Sequence, residues 1–282
     1  MSVYLFPGQG SQVLGMGEGL FERYSHLVDK ANEILMYSLP ELCLNDNQQK
    51  LNETQFTQPA LYMVSALAYL EYIENNPQPN YLAGHSLGEY AALFAAGVFD
   101  FETGLRLTQK RGALMAQAPE GAMLAVIGLQ KNKIQNLIEQ HQKNFSRVYI
   151  ANDNSYQQLL LSGDKQEILN FMPVLQEAGA KTILLKTSGA FHSPYMKNAQ
   201  LEYAQFLKSF SFSAPKIPVI ANVNVEAYSV DTVNQNLIQQ IVEPVRWKET
   251  MEYFLNKGEE EFIEIGPGKV LTKLLQRIKQ GQ

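Results

Sequence analysis

Apolar residues recur along the chain in two rhythms. Short apolar runs bounded by Gly, Pro or Asn predict buried strands, and longer stretches with helical spacing predict helices. Residues 3–6 form one such run and lead into a glycine-rich loop, Pro7-Gly8-Gln9-Gly10-Ser11-Gln12, ahead of a helix containing residues 20–30. Residues 80–83 predict a second strand, followed by Gly84-His85-Ser86-Leu87-Gly88 and a helix over 89–96. Asp100 suits the N-cap of the next helix, which carries Leu105, Arg106, Arg111, Leu114 and Met115. After Gly121 the order changes to strand 123–128, helix 131–142, strands 147–151 and 158–162, helix 165–178 and strand 181–186. That βαββαβ order is the ferredoxin-like arrangement. The first pattern then resumes with strand 217–221, helix 247–256, strand 261–265 and helix 270–279. The expected fold is α/β: an α/β-hydrolase-like parallel-sheet core, residues 1–121 and 189–282, interrupted by a ferredoxin-like small domain at 122–188.

Composition narrows the function classes. The chain has 282 residues, 45% of them hydrophobic, enough for one large domain carrying a small one. Its 23 Lys and Arg oppose 28 Asp and Glu, a net charge of −5 that argues against a generic nucleic-acid binder. The one cysteine, Cys43, excludes an internal disulfide framework and a cysteine-built metal site. No His/Asp/Glu group has ligand-like spacing, so no metal is expected. The apolar runs are far too short for a membrane span, and the first residues carry no basic, apolar leader. A cytoplasmic location is expected. Gly8-x-Gly10 lacks the third glycine of a dinucleotide loop.

The candidate chemistry lies at Gly84-His85-Ser86-Leu87-Gly88, a G-x-S-x-G match between a strand and a helix. A serine on such a tight bend is exposed, and the N–H of Leu87 can face a developing oxyanion. A serine nucleophile needs a base, and the chain has four histidines. His26 and His141 lie in polar surroundings and read as solvated. His85 is adjacent to Ser86, where side chains diverge. His192, in Gly189-Ala190-Phe191-His192-Ser193, remains as the partner. No Asp or Glu stands out as a third member, so a backbone carbonyl is the expected support for the imidazole.

Six motifs occur in order: Phe6-Pro7-Gly8-Gln9-Gly10-Ser11-Gln12, Thr57-Gln58-Pro59-Ala60, Gly84-His85-Ser86-Leu87-Gly88-Glu89, Gln109-Lys110-Arg111-Gly112, Gly189-Ala190-Phe191-His192-Ser193 and Gly266-Pro267-Gly268-Lys269-Val270-Leu271. Together they resemble the malonyl-CoA:acyl-carrier-protein transacylase family, over essentially the whole chain. The resemblance implies ping-pong transfer of malonyl from coenzyme A, through an acyl-Ser86, to the phosphopantetheine thiol of an acyl carrier protein. His192 would shuttle the proton. By the same resemblance the N–H groups of Gln9 and Leu87 form the oxyanion hole, and Arg111 grips the malonyl carboxylate with two hydrogen bonds. Gln58 supports that arginine, the Gln240 carbonyl orients His192, and Asn152 and Asn154 lie near the entrance. No cofactor is bound in that scheme; the coenzyme A thioester is a substrate.

The Phe191 segment resembles the malonyl-selecting type of polyketide acyltransferase, its ring taking the space an α-methyl would need. Tyr156 stands where the family usually has proline, and the segment from Ala118 to Met123 looks short. These features, with an early C-terminal end, tilt the expectation toward the discrete acyltransferases of polyketide synthesis over those of fatty acid synthesis. A monomer is expected, with Lys181, Lys186, Lys197 and Lys110 as candidates for steering the carrier protein. An acyl hydrolase using the same Ser86 and His192 is the nearest rival, and a non-catalytic carrier-binding module a more distant one. The presence of Arg111 disfavours the first, and the intact Ser86, His192 and Arg111 disfavour the second.

Overall fold

The computed structural model describes residues 2–141, 143–187 and 189–281. The elements follow in order: β1 (Ser2–Phe6), α1 (Leu20–Arg23), α2 (Ser25–Leu35), α3 (Leu39–Leu44), α4 (Thr54–Ile73), β2 (Tyr81–Gly84), α5 (Gly88–Ala95), α6 (Phe101–Ala116), β3 (Ala122–Ile127), α7 (Lys131–Gln140), β4 (Val148–Ser155), β5 (Gln158–Gly163), α8 (Lys165–Glu177), β6 (Lys181–Leu184), a 3₁₀ turn (Pro194–Met196), α9 (Lys197–Leu207), α10 (Val233–Gln239), α11 (Trp247–Asn256), β7 (Glu261–Glu264) and α12 (Val270–Lys279). Gln142 and Ser188, where the sequence places a helix end and the end of the insertion, lie outside the described residues.

The core sheet is parallel, in the order β2-β1-β7. All five residues of β1 are buried, so the strand reads as a continuous apolar run rather than an alternation. The second sheet is antiparallel, in the order β4-β5-β3-β6. Taken in chain order that is the 4-1-3-2 arrangement of a ferredoxin-like βαββαβ unit, with its own core around Leu124, Val126, Leu159, Leu161, Ile168 and Phe171.

Several expectations need correction. The helix over 20–30 is two helices, broken at Tyr24, whose φ of −114° and ψ of 38° leave the helical region. The strand expected at 217–221 is reduced to single bridges, Val219 with Leu82 and Ile220 with Ala227. Pro218 has no N–H for a ladder, and Val219 and Ala221 turn back to bond Tyr228 and Glu226. β4 runs on through Ser155, beyond the expected end at 151, so Asn152 and Asn154 sit on a strand with two irregularities in register. His141 is half-buried against Phe145 and Phe171 rather than solvated.

Candidate active site

The elbow forms where β2 ends against β1. A Cβ on Gly84 would lie 2.0 Å from the Gly88 carbonyl carbon, and one on Gly88 would lie 2.0 Å from the Phe6 oxygen. Both flanks must therefore be glycine for the turn to close. Between them Ser86 takes a left-handed backbone, φ 52°.

Ser86 Oγ is 2.8 Å from His192 Nε2. His192 Nδ1 is 2.8 Å from the Gln240 carbonyl and 3.2 Å from that of Glu243. Carbonyls only accept, so Nδ1 carries the proton and Nε2 is left to accept from the serine hydroxyl. Burial, reinforced by the charge of Arg111, lowers the imidazole to about 3. The ring is thus a neutral base at physiological pH. His192 is itself left-handed, φ 56°.

Arg111 projects from α6 and is 1% exposed. Its Nη1 donates to Gln58 Oε1 at 2.8 Å, and its Nη2 donates to Gln240 Oε1 at 3.0 Å and to Ser86 Oγ at 3.1 Å. The guanidinium also lies 5.6 Å from the Tyr90 ring centre. Neutral oxygens hold this cation, and among the described residues its Nε has no hydrogen-bond partner. A small anion beside Ser86 would complete the set.

These side chains line a cavity of about 80 Å³. Ser86, His192, Arg111, Gln58, Gln9, His85 and Thr187 give it polar lining, with Met115, Met123, Leu160, Leu185 and Phe191 as apolar walls. Asn152 also lines it, 3% exposed, its Oδ1 without a hydrogen-bond partner among the described residues. Asn154 does not: its Oδ1 meets His85 Nε2 at 2.8 Å. That bond, with Trp247 against the ring at 5.3 Å between ring centres, holds His85 in place. Among the described residues neither the Gln9 nor the Leu87 N–H has an internal hydrogen-bond partner. A wider groove of about 420 Å³ also borders His192, between Tyr149, Ile150, Pro194 and Pro244.

Sequence reasoning missed three parts of this site. The Gln240 side chain was not foreseen; it accepts from Arg111, and its Nε2 donates to the Ser86 carbonyl at 2.9 Å. Asn222 and Glu89 lie fully buried behind the elbow. Glu89 left a trace in the sequence, a lone carboxylate opening an apolar helix, whereas Asn222 sits in an unremarkable Ala221-Asn222-Val223 and left none.

Comparison with known proteins places these features in a family. Residues 3–280 match the acyl transferase domain family. The chain is 49% identical over 282 residues to the polyketide biosynthesis malonyl CoA-acyl carrier protein transacylase BaeC of Bacillus velezensis, covering 99% of this chain and 97% of that one. It is 47% identical over 285 residues to the polyketide biosynthesis protein PksE of Bacillus subtilis, spanning 99% of this chain but 36% of that longer relative. The crystal structure of the Burkholderia pseudomallei malonyl CoA-acyl carrier protein transacylase superposes with a TM-score of 0.96 at 44% identity, covering 100% of this chain and 99% of the other.

Proposed function

The chain belongs to the acyl transferase family, and from that premise we propose that it transfers malonyl from malonyl-CoA to the phosphopantetheine thiol of an acyl carrier protein. The observation that carries the substrate assignment is Arg111, a buried guanidinium held by neutral oxygens and touching the nucleophile at 3.1 Å. An acyl group on Ser86 that bears its own carboxylate would meet this cation directly. Each charge-assisted hydrogen bond so formed contributes roughly 1.5–3 kcal/mol. An acetyl group offers it nothing.

The steps follow from the geometry. Ser86 Oγ attacks the thioester carbon as its proton passes to His192 Nε2. The N–H groups of Gln9 and Leu87 receive the oxyanion. Collapse breaks the C–S bond, and His192 returns the proton to the leaving thiolate, leaving malonyl-Ser86. The carrier thiol then gives its proton to His192 and attacks the ester, and the protonated imidazole reprotonates Ser86 on release. The Gln240 carbonyl faces the imidazolium that forms twice in each cycle. We assign the groove beside His192 to the thiol-bearing arm of either substrate. This chemistry calls on no resident cofactor.

Phe191, buried beside His192, disfavours an α-methyl branch by about 1–3 kcal/mol, a preference for malonyl over methylmalonyl that a crowded substrate pool can overcome. The similarity to BaeC, a polyketide biosynthesis transacylase, together with the Phe191 segment, supports polyketide biosynthesis as the pathway. Among the described residues no helix is long and apolar enough to cross a membrane, and Cys43 is buried and unpaired. We place the enzyme in the cytoplasm, where malonyl-CoA and carrier proteins meet.

Intact-protein mass spectrometry after mixing with malonyl-, methylmalonyl- or acetyl-CoA, with and without holo carrier protein, tests the whole scheme. Malonyl should load onto the enzyme first and move to the carrier when it is added. Malonyl lost to water at the same rate with or without the carrier would make the protein a hydrolase.

A further inference from the structure

Behind the nucleophile lies a set of polar side chains that the proton transfer does not use. Asn222 is fully buried. Its Oδ1 accepts from the Ser86 N–H at 2.7 Å, and its Nδ2 donates to the Gly84 carbonyl at 2.8 Å. One amide therefore grips both ends of the Gly84-His85-Ser86 turn. Asn222 is held in place by its own backbone: its N–H donates to Glu89 Oε2 at 2.9 Å, and its carbonyl accepts from the Arg246 N–H at 3.1 Å. Glu89, in the first turn of α5, also accepts a hydrogen bond from the Tyr228 hydroxyl. The turn so gripped is the one with a left-handed serine, a backbone state that a non-glycine residue holds only when its surroundings impose it.

We propose that Asn222, set in place by Glu89 and Tyr228, is a positioning residue that locks the Ser86 elbow in its left-handed form and so keeps Oγ directed at His192. The inference rests on the assignment of Ser86 as nucleophile.

The charge of Glu89 decides how well the lock holds. Ionised, its two oxygens accept from Asn222 and Tyr228 together. Protonated, one oxygen carries a hydrogen into a space where both neighbours are donating. Burial raises the Glu89 carboxyl to about 7, against the opposing pull of Tyr228, the Asn222 N–H, Gln240 and the Arg111 charge. Tyr90, itself raised by burial, is the other titratable group beside it, and Tyr203 stands next to Tyr90 and Tyr228. His192, lowered to about 3, supplies no titration near neutrality. An acid fall in rate centred near 7 is therefore the signature of Glu89.

The test follows two readouts on the full chain across pH 5.5–8.5: single-turnover loading at varied malonyl-CoA, and labelling of Ser86 by a fluorophosphonate. Asn222→Ala should lower the saturated loading rate and the labelling rate by roughly a hundredfold each, with KM unchanged, as a small misalignment of a nucleophile does. Glu89→Gln keeps the shape but presents one acceptor and one donor, as the protonated carboxyl does. It should load and label at the parent's acid-limit rate at every pH, without the acid fall the parent shows. Parental loading by Asn222→Ala, or the same acid fall in Glu89→Gln, overturns the proposal. Should Asn222→Ala fail to fold, the Glu89→Gln profile decides alone. A parent that labels with fluorophosphonate yet never loads malonyl sinks the malonyl reading instead, and the labelling rates still judge the lock.

Discussion

Ser86 and His192 meet at 2.8 Å across 106 residues of sequence, and both hold left-handed backbones, φ 52° and 56°. The two ends of the proton transfer thus sit on the two strained residues of the site. Strain of this kind is a property of the backbone, so it survives removal of the side chain's chemistry.

Ser86→Ala and Ser86→Gly should both abolish the acyl-enzyme seen by mass spectrometry. They should differ in stability, with Gly about 1 kcal/mol above Ala, the reverse of the usual order, since only Gly relieves the positive φ. Chemical denaturation measures the difference, and an Ala variant as stable as the Gly variant would contradict the strain.

The pH dependence of stability tests His192 and Glu89 together. His192 titrates near 3 when folded against an ordinary 6.5, so its contribution is complete above 6.5 and is lost as pH falls toward 3. Glu89 titrates near 7 when folded against an ordinary 4.5, so its contribution is complete below 4.5 and is lost as pH rises through 7. Between pH 4.5 and 6.5 the two slopes oppose. Relative to the parent, Glu89→Gln should lose stability faster on acidification, by up to about 1.4 kcal/mol per pH unit, and His192→Ala should gain in the same direction. Denaturation midpoints at four or five pH values suffice, and three parallel curves would refute both assignments.

Arg111→Ala should slow malonyl loading by roughly a hundredfold or more, corresponding to about 3 kcal/mol of paired contacts, and leave acetyl loading much less affected. Equal losses for both acyl groups would mean that Arg111 serves the fold. Gln58→Glu offers the complementary experiment. A carboxylate at that position, 2.8 Å from Nη1, would compete with the substrate for the guanidinium, and malonyl loading should fall at least tenfold while acetyl loading holds.

The net charge of −5 gives no long-range attraction to an acidic carrier protein, so any steering must come from local lysines. Lys181, Lys186 and Lys197 are exposed, whereas Lys110 is half-buried with its ammonium 6.0 Å from the Phe206 ring centre. Reversing the first three charges should slow malonyl transfer to the carrier and leave loading from malonyl-CoA unchanged, with the defect shrinking as salt rises. A transfer rate indifferent to both changes would remove these lysines from the docking surface.

The parts of the molecule legible in the sequence were those with a local signature. The elbow shows as a five-residue glycine pattern, although Gly88 is required by contact with the distant Phe6 backbone, and the βαββαβ unit shows by alternation and turn residues. α4 was invisible for a physical reason: residues from Thr54 to Tyr69 are buried on nearly every side, so the helix has no polar face and no helical period, and Pro59 lies within it. α9 and α10 went unread as well. At the site, Gln240 was expected to act through its carbonyl, and the resemblance carried no hint of its side chain. Asn222 is 136 residues from Ser86 in the chain, and only the folded backbone brings them to 2.7 Å.

The guanidinium of Arg111 has a last consequence. Among the described residues it has no carboxylate partner, so the free enzyme holds a dry cation beside its nucleophile. Such a site welcomes any small dianion that fits, whether or not it carries a thioester. Free malonate, released if water reached the acyl-enzyme, would carry the same carboxylate to Arg111 and compete with malonyl-CoA for it.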